Sequence, residues 1–162
     1  MTGIVFVVYT TQVVRMEIST DELAVIIGNE CLAGKVRRLS RVVTSIYDRA
    51  LQPYGIKINQ ASILVFLSIV GEASPGEIGK RLQMEKSTVS RNIERMRISG
   101  WLEVVGKGTG ATQTLKITPL GQQLLTESHS QWENAQKKTR ELIGEDGAQA
   151  LRMLSERVRQ DV

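Results

Sequence analysis

Apolar residues recur with helical spacing through the first third of the chain and predict a long helix over residues 20–52. Six of them follow one another at intervals of four and three residues: Leu32, Val36, Leu39, Val43, Ile46 and Ala50. This heptad-like spacing is typical of a helix that packs along another helix. Ser19 and Glu22 form a capping box at its start, and residues 53–55 end it. Gly28 weakens the helix, so the pattern also allows a break near this residue.

A short, largely apolar segment follows at residues 60–70. A segment of this length that is apolar on most sides predicts a buried helix, and Asn59 can cap it. Residues 71–73 are interpreted as the connection to the next element. We expect this helix to lie at the centre of the core, beneath the helices that follow it.

Residues 74–100 are organised as two short helices joined by a tight turn. Ser74 and Glu77 form a second capping box, with a proline between them at the first helical position. The polar run at residues 83–86 interrupts the apolar pattern, and the second helix resumes at about Ser87. Its inner face and its end are marked by four residues: Val89, Ile93, Met96 and Gly100.

The outer face of that second helix carries small hydroxyl side chains near its N-terminus and two arginines at i, i+4. A helix that enters a DNA groove needs this arrangement. Small side chains allow close approach, hydroxyls bond phosphates or base edges, and arginine grips guanine through two hydrogen bonds. An ordinary solvated surface helix carries similar charges. The candidate DNA-binding residues of this helix are Lys86, Ser87, Thr88, Ser90, Arg91, Asn92 and Arg95.

Two strand-like stretches, residues 101–105 and 112–117, flank a glycine-rich loop and predict a β-hairpin. The loop has the spacing G-x-G-x-G and precedes a strand rather than a helix, so it lacks the geometry of a phosphate-binding loop. Thr118 then caps a further helix that we expect to reach residue 143. Residues 144–147 are interpreted as a turn before a last amphipathic helix.

The chain therefore begins and ends in long helices with apolar seams, and we predict that these ends form one dimerisation domain around a two-fold axis. The expected fold class is mainly α with a small β-hairpin wing, that is, a winged helix-turn-helix between N- and C-terminal dimerisation helices. The predicted divisions are an N-terminal extension without assigned structure (1–18), a dimerisation helix (19–57), the winged helix-turn-helix (58–118) and C-terminal dimerisation helices (119–162).

Composition favours a polyanionic partner without proving one, because the formal net charge is +4 and the pI about 9.4. A hydrophobic content of 41% is enough to build a core. The single cysteine permits no intramolecular disulfide, and no stretch reaches the roughly 18 apolar residues of a membrane span. No basic residue precedes the apolar run at residues 4–9, so we expect no secretory signal. We expect a cytoplasmic protein without a membrane partner.

The residue types do not predict catalysis. His129 is the only histidine and Cys31 the only cysteine, and they lie far apart on different predicted helices. No cluster of His, Cys or carboxylate residues has the spacing of metal ligands. We therefore expect no enzyme activity, no catalytic residue, no metal and no cofactor.

Several motifs, taken in order, resemble the MarR family of bacterial regulators. Arg37-Arg-Leu-Ser-Arg41 with residues 44–55 resembles the first helix of that family, and Lys86-Ser-Thr-Val-Ser-Arg91 the start of its recognition helix. Ser99-Gly-Trp-Leu102 resembles the entry to its wing, and Leu115-Lys-Ile-Thr-Pro-Leu-Gly121 the exit. The resemblance covers residues 31–158. It departs at the tip of the wing, which has neither Asp nor Arg and offers only Lys107 as a candidate DNA contact.

This resemblance implies a homodimer on a pseudo-palindromic double-stranded operator, with one recognition helix in each of two major-groove half-sites about 34–36 Å apart. It also implies regulation by a small aromatic or lipophilic ligand between the dimerisation helices and the winged helix. Tyr47 and Tyr54 are candidate effector-binding residues and Trp132 a further candidate to line the ligand cleft, although aromatic residues on such helices are also common in cores.

Two alternatives remain open at this point. Some relatives sense oxidants through a lone cysteine near the start of the first helix, which makes Cys31 a candidate redox residue. A winged helix can also bind protein instead of DNA, and a wing without arginine is compatible with that hypothesis. The arginine pair on the recognition helix favours DNA, because a module that binds only protein does not require it.

Overall fold

The structure is a computed structural model that describes residues 3–9, 12–106 and 113–160, with side chains described for residues 18–106 and 113–158. The chain divides into two units, Met1–Val42 and Val43–Val162. The second helix of the chain crosses the boundary between these units.

The first unit opens with a β-hairpin, in a region where the sequence pattern assigned no structure. Strands β1 (Gly3–Tyr9) and β2 (Gln12–Ile18) pair antiparallel along their whole length. Helix α1 (Thr20–Glu30) begins at the predicted capping box. The Glu22 N–H donates to Ser19 Oγ at 3.2 Å, and the Glu22 carboxylate accepts from the Ser19 N–H at 3.0 Å. These bonds satisfy donors that the start of a helix leaves without partners.

The predicted helix over residues 20–52 consists of two helices, because the chain leaves the helical conformation at Cys31. This residue has a ψ of 103°, and α2 (Leu32–Leu51) begins directly after it. The sequence allowed a break near Gly28; the break lies three residues later, and Gly28 itself is inside α1. The Cys31 N–H still donates to the Ile27 carbonyl at 3.0 Å, so α1 closes its last turn before the backbone changes direction.

The second unit follows the predicted order of elements: buried helix, helix-turn-helix, strand pair and long helix. After α2 come a 3₁₀ turn (Gln52–Tyr54), α3 (Ile58–Val70), β3 (Glu72–Ala73), α4 (Pro75–Leu82), α5 (Lys86–Ile98), β4 (Leu102–Val104), β5 (Leu115–Ile117) and α6 (Pro119–Gln160). Helix α5 begins one residue before the predicted Ser87. The predicted tip of the wing, at residues 107–112, lies outside the described residues.

The N-cap of helix α3 is Lys57 and not Asn59, which corrects the predicted cap. A lysine side chain cannot accept a hydrogen bond, so the exposed donors at this helix start need other acceptors. The Ile58 N–H donates to Asp48 Oδ1 at 2.9 Å, and the Lys57 N–H donates to Gln60 Oε1 at 3.0 Å. A carboxylate from α2 therefore caps α3.

The core of the second unit is aliphatic and is built around one side of α3. Its buried members are Leu51, Ile56, Ala61, Ile63, Leu64, Leu67, Ala73, Ile78, Val89, Ile93, Met96, Leu102, Leu115, Ile117 and Leu124. The prediction that α3 is buried on most sides is wrong in part. Val65, Ile69 and Val70 are 46, 78 and 48% exposed, because the helical period of 3.6 residues carries them away from the packed side.

The predicted hairpin is present as a strand pair, and the structure adds a third strand. Strand β5 lies between β3 and β4 and pairs antiparallel with both. Residues 71–73 were interpreted as a connection, but Glu72 and Ala73 form β3. Leu115 and Ile117 are buried while Lys116 is exposed, which confirms the predicted alternation. A helix-turn-helix followed by this small sheet is a winged helix, so the predicted fold class is confirmed.

The chain from Pro119 to Gln160 is helical apart from Gly144. This glycine has φ 73° and ψ 167°, a conformation that side chains with a Cβ disfavour, and it separates two helical stretches. The predicted turn over residues 144–147 is therefore a single-residue break. No single helix of the described residues has the length and hydropathy of a membrane span; one bent pair, Leu32–Tyr54 with Ile58–Val70, meets both tests by length and composition only.

Candidate nucleic-acid interface

The two helices of the helix-turn-helix approach each other closely at Gly79. A Cβ at this position would lie 3.2 Å from the Met84 carbonyl oxygen and 3.4 Å from Val89 Cγ2. The turn passes through Gln83, which has a left-handed φ of 52° and donates its side-chain amide to the Lys80 carbonyl at 3.1 Å. The absence of a side chain at Gly79 therefore allows α5 to pack tightly against α4.

Helix α5 packs through one face and leaves the opposite face open. Val89, Ile93 and Met96 are buried, as predicted. Five of the predicted contact residues are exposed: Lys86, Ser87, Ser90, Arg91 and Arg95. The remaining two, Thr88 and Asn92, are half-buried, so they lie at the edge of the packed face and not on the outer face as predicted.

The cationic side chains on the outer face of α5 differ in whether they are already in an ion pair. Arg97 Nη1 lies 3.3 Å from Glu94 Oε2, so this arginine is already paired. Lys86, Arg91 and Arg95 take part in none of the ion pairs found among the described side chains. Lys86, Arg91 and Arg95 can therefore offer their full charge to an external anion.

Sequence reasoning missed Glu94, which is exposed on α5 three residues after Arg91 and three before Arg97. The spacing i, i+3 places opposite charges side by side on a helix, and that signal was available in the sequence. An acidic residue among the cations matters for recognition. A carboxylate repels phosphate but accepts a hydrogen bond from cytosine N4 in the major groove.

The two tyrosines predicted to bind an effector lie in packed positions. Tyr47 is 8% exposed and its hydroxyl donates to Gln136 Oε1 on α6. Burial raises the pKa of the Tyr47 hydroxyl above its usual value. Tyr54 is half-buried against the core. An open cleft of about 640 Å³ lies along α6 near Gly144, and the aromatic residue in its wall is Trp132.

The remaining residues singled out in the sequence, Cys31, His129 and Lys107, lie outside α5. Cys31 is a half-buried free thiol between α1 and α2, in the first unit. His129 is exposed on α6 and stacks on Trp132 with ring centroids 6.0 Å apart. Lys107 lies outside the described residues. Within the described part of the chain, no group of three His, Cys, Asp or Glu side chains could hold a metal ion.

These features define a class of protein. The tight turn at Gly79, the one-sided packing of α5 and the sheet that follows it make a winged helix-turn-helix in which one face of α5 is exposed. The sequence of residues 54–110 matches the model of the MarR family. YwoH of Bacillus subtilis, an uncharacterized HTH-type transcriptional regulator, is 29% identical over 75 residues. That match covers 46% of this chain and 55% of YwoH, so it spans about half the length of that relative.

Solved structures match over more of the chain. The transcriptional regulator MosR of M. tuberculosis is 25% identical, with 82% of this chain and 98% of MosR covered at a TM-score of 0.70. MosR in complex with DNA is 27% identical, with 81% and 98% covered at a TM-score of 0.66. Bordetella bronchiseptica BpsR, whose DNA binding is regulated by 6-hydroxynicotinic acid, is 20% identical, with 82% and 96% covered at a TM-score of 0.70, and that likeness shows the fold alone. The winged helix-turn-helix part of the chain is therefore similar to the MarR family of transcriptional regulators.

Proposed function

We propose that this protein is a sequence-specific DNA-binding transcriptional regulator that acts as a homodimer on a pseudo-palindromic operator. The observation that carries the proposal is the outer face of α5, where Arg91 and Arg95 are exposed and free of ion pairs beside the hydroxyls of Ser87 and Ser90. The solved complex of MosR with DNA supports it, because the two chains share the winged helix.

The residues of α5 are suited to different parts of a duplex. Ser87 and Ser90 are short and lie in the first two turns, where a helix in the major groove comes nearest to the bases. Arg91 follows on the same face and can bond guanine O6 and N7, which would carry sequence preference. Lys86 at the start of the helix suits a phosphate, which fixes position without reading sequence. Lys107 is proposed as a further phosphate contact from the wing.

The proposed dimer is supported by a set of apolar side chains that are exposed in each unit. In the first unit, Leu32 and Val36 of the predicted seam are 75 and 66% exposed. In the second unit, Leu151, Leu154 and Val158 near the chain end are 40, 55 and 57% exposed. Apolar residues at helical spacing need a partner surface, and a second copy brings the same surfaces in a closed arrangement. We therefore assign residues 19–57 and 119–162 to dimerisation and residues 58–118 to DNA binding.

A small aromatic or lipophilic ligand is proposed to release or strengthen DNA binding, and repression is the proposed default action. The regulation of BpsR by 6-hydroxynicotinic acid supports a ligand response. In this chain Tyr47 is an unsuitable contact, because its side chain is buried and its hydroxyl is already bonded to Gln136. Trp132 is the better candidate, because it is 39% exposed and lines the cleft near Gly144.

The test is a gel shift with DNA that flanks the protein's own gene, measured at several salt concentrations. We expect Arg91→Ala to weaken specific binding by about 1–3 kcal/mol and to relax base preference at one position of each half-site. Lys86→Ala should weaken binding to all sequences alike and lower the salt dependence by about one counterion for each half-site. Arg97→Ala removes the arginine of the same helix that is already paired with Glu94 and is the matched control, with a smaller loss than for Arg91→Ala expected. Adding 6-hydroxynicotinic acid to the same assay tests the ligand response.

Two results would contradict parts of this proposal. If Arg91→Ala and Lys86→Ala both leave operator affinity intact, α5 is not the DNA-reading helix. If the unaltered protein retains no DNA at low salt, the alternative of a protein-binding winged helix is favoured instead. The redox hypothesis for Cys31 stays a prediction, tested by whether Cys31→Ser abolishes release from DNA by peroxide.

A further inference from the structure

The end of the recognition helix is joined to the start of α6 by one hydroxyl group. Thr118 Oγ1 donates to the Gly100 carbonyl at 2.6 Å and accepts from the Gly121 N–H at 3.1 Å. The Thr118 N–H also donates to the Trp101 carbonyl at 3.0 Å. A single residue therefore caps α6 and binds Gly100 and Trp101, which follow the C-cap of α5.

Gly121 brings the two segments into backbone contact at the same place. A Cβ on Gly121 would lie 2.5 Å from the Trp101 carbonyl oxygen and 2.8 Å from Ile117 Cγ1, closer than atoms can approach. Gly121 is itself buried. The first turn of α6 thus packs directly against the backbone at the entry to the wing, with no side chain of Gly121 between them.

The segment that Thr118 holds is itself fixed to α5. Gly100 has a left-handed φ of 73°, its N–H donates to the Arg97 carbonyl, and the Trp101 N–H donates to the Met96 carbonyl at 2.9 Å. These bonds close the last turn of α5 as a Schellman motif. The Gly100 carbonyl therefore moves with α5, and the Thr118 hydroxyl moves with α6.

We propose that Thr118 and Gly121 are positioning residues that set the angle of the recognition helix relative to α6. The inference rests on the proposed function, because it concerns how a dimer presents two recognition helices. If α6 belongs to the dimerisation region, this joint fixes the separation of the two α5 helices. It also carries any movement of α6 to α5. Thr118 does not touch DNA in this proposal, and its effect is on the spacing of half-sites.

The experiment compares operators with one base pair inserted or removed between the half-sites. The unaltered protein should prefer the natural spacing by about tenfold, comparable with the loss of one base contact. Thr118→Val keeps the shape of the side chain but removes both hydrogen bonds of the hydroxyl, so this preference should fall to about threefold or less. Thr118→Ser retains the hydroxyl and should restore it. Thr126→Val, which removes an exposed hydroxyl from the same helix, is the matched control.

The outcomes separate this inference from the proposed function. If the unaltered protein shows no operator binding, the proposed function fails. If it binds with a clear spacing preference and Thr118→Val keeps that preference, Thr118 only stabilises the fold and the inference is wrong. A Thr118→Val protein with a lower melting temperature but an unchanged spacing preference would likewise show that Thr118 only stabilises the fold. Should Thr118→Val not fold, Thr118→Ala supplies the test, because it also removes the hydroxyl and introduces no new atoms, and an unchanged preference would again overturn the inference.

Discussion

Helix α3 begins with a cap that is supplied by another helix, and the loss of that cap should be measurable. Asp48 lies near the end of α2, and its Oδ1 accepts from the Ile58 N–H at 2.9 Å. Lys57, the residue at the cap position, makes no side-chain hydrogen bond there. Since α3 carries the centre of the core, its first turn is a place where a local change affects the stability of the whole second unit.

The expected loss has two parts. Asp48→Ala leaves the Ile58 N–H without its acceptor, and loss of a cap costs about 1 kcal/mol. It also removes a negative charge from the N-terminus of α3, worth about 0.3–1 kcal/mol. The sum is about 2 kcal/mol, or a melting temperature lower by about 4–8 °C for a chain of this size. Asp48→Asn keeps an oxygen acceptor and loses only the charge, so it should cost less than about 1 kcal/mol.

Thermal unfolding followed by circular dichroism, with urea denaturation beside it, measures these differences. Glu127→Ala removes an exposed carboxylate from the interior of α6 and should change stability by less than about 0.5 kcal/mol. The order Asp48→Ala, then Asp48→Asn, then Glu127→Ala from most to least destabilised is the expected result. Equal losses for Asp48→Ala and Asp48→Asn would show that charge and not the hydrogen bond stabilises this helix start. No loss for Asp48→Ala would refute the argument.

Two further predictions concern α4. Ile78 is fully buried, so Ile78→Ala should lower the free energy of unfolding by about 2–5 kcal/mol in urea denaturation, whereas Val65→Ala at an exposed position of α3 should cost far less; equal costs would contradict the core assignment. Hydrogen bonds from the N–H and hydroxyl of Ser74 lower the pKa of Glu77 below 4.5. A lowered folded pKa stabilises the protein above the unfolded pKa, and this contribution is lost as the pH falls through the folded value. The difference in melting temperature between the unaltered protein and Glu77→Gln should therefore shrink as the pH is lowered from 7 towards 3, and a constant difference would contradict it.

The sequence predicted the elements whose signals are local. The capping boxes at Ser19 and Ser74 are present, because Ser and Glu three residues apart satisfy each other's backbone donors without help from distant residues. The buried face of α5 and the alternation in β5 were readable for the same reason, since helical and strand periods place side chains directly. Gly100 ends α5 as predicted, because only a left-handed residue continues the chain at that point.

The errors arose where a distant group decides the local conformation. Asn59 was predicted as the cap from its residue type, but the carboxylate of Asp48 accepts from the Ile58 N–H, and α3 begins at Ile58 with Lys57 at the cap position. The strand at Glu72 has no pattern of its own and exists because it pairs with Lys116. The extended conformation of Cys31 is not marked by a glycine or proline, so the sequence indicated only that a break near Gly28, three residues earlier, was allowed.

At the candidate site, residue type predicted which side chains could bind DNA, but not which of them are available. Thr88 and Asn92 have suitable chemistry and are half-buried, whereas Arg97 is exposed and already paired with Glu94. Helical spacing alone places all of these residues on the same broad side of α5. Availability depends on the exact rotation of α5 against α4, which the close approach at Gly79 sets.

The contacts that the sequence did not predict have a common physical origin. A helix start leaves backbone N–H groups without partners, and a helix end leaves carbonyl groups, so a side chain from another element can bind them. Asp48 at the end of α2 bonds the first N–H of α3, and Thr118 at the start of α6 bonds the carbonyl of Gly100 after α5. Each contact joins the end of one helix to the end of another and transmits the position of one to the other. Because α5 is otherwise held through a single buried face, its orientation should be most sensitive to the second of these contacts, which is why the spacing of half-sites and not overall affinity is the quantity to measure.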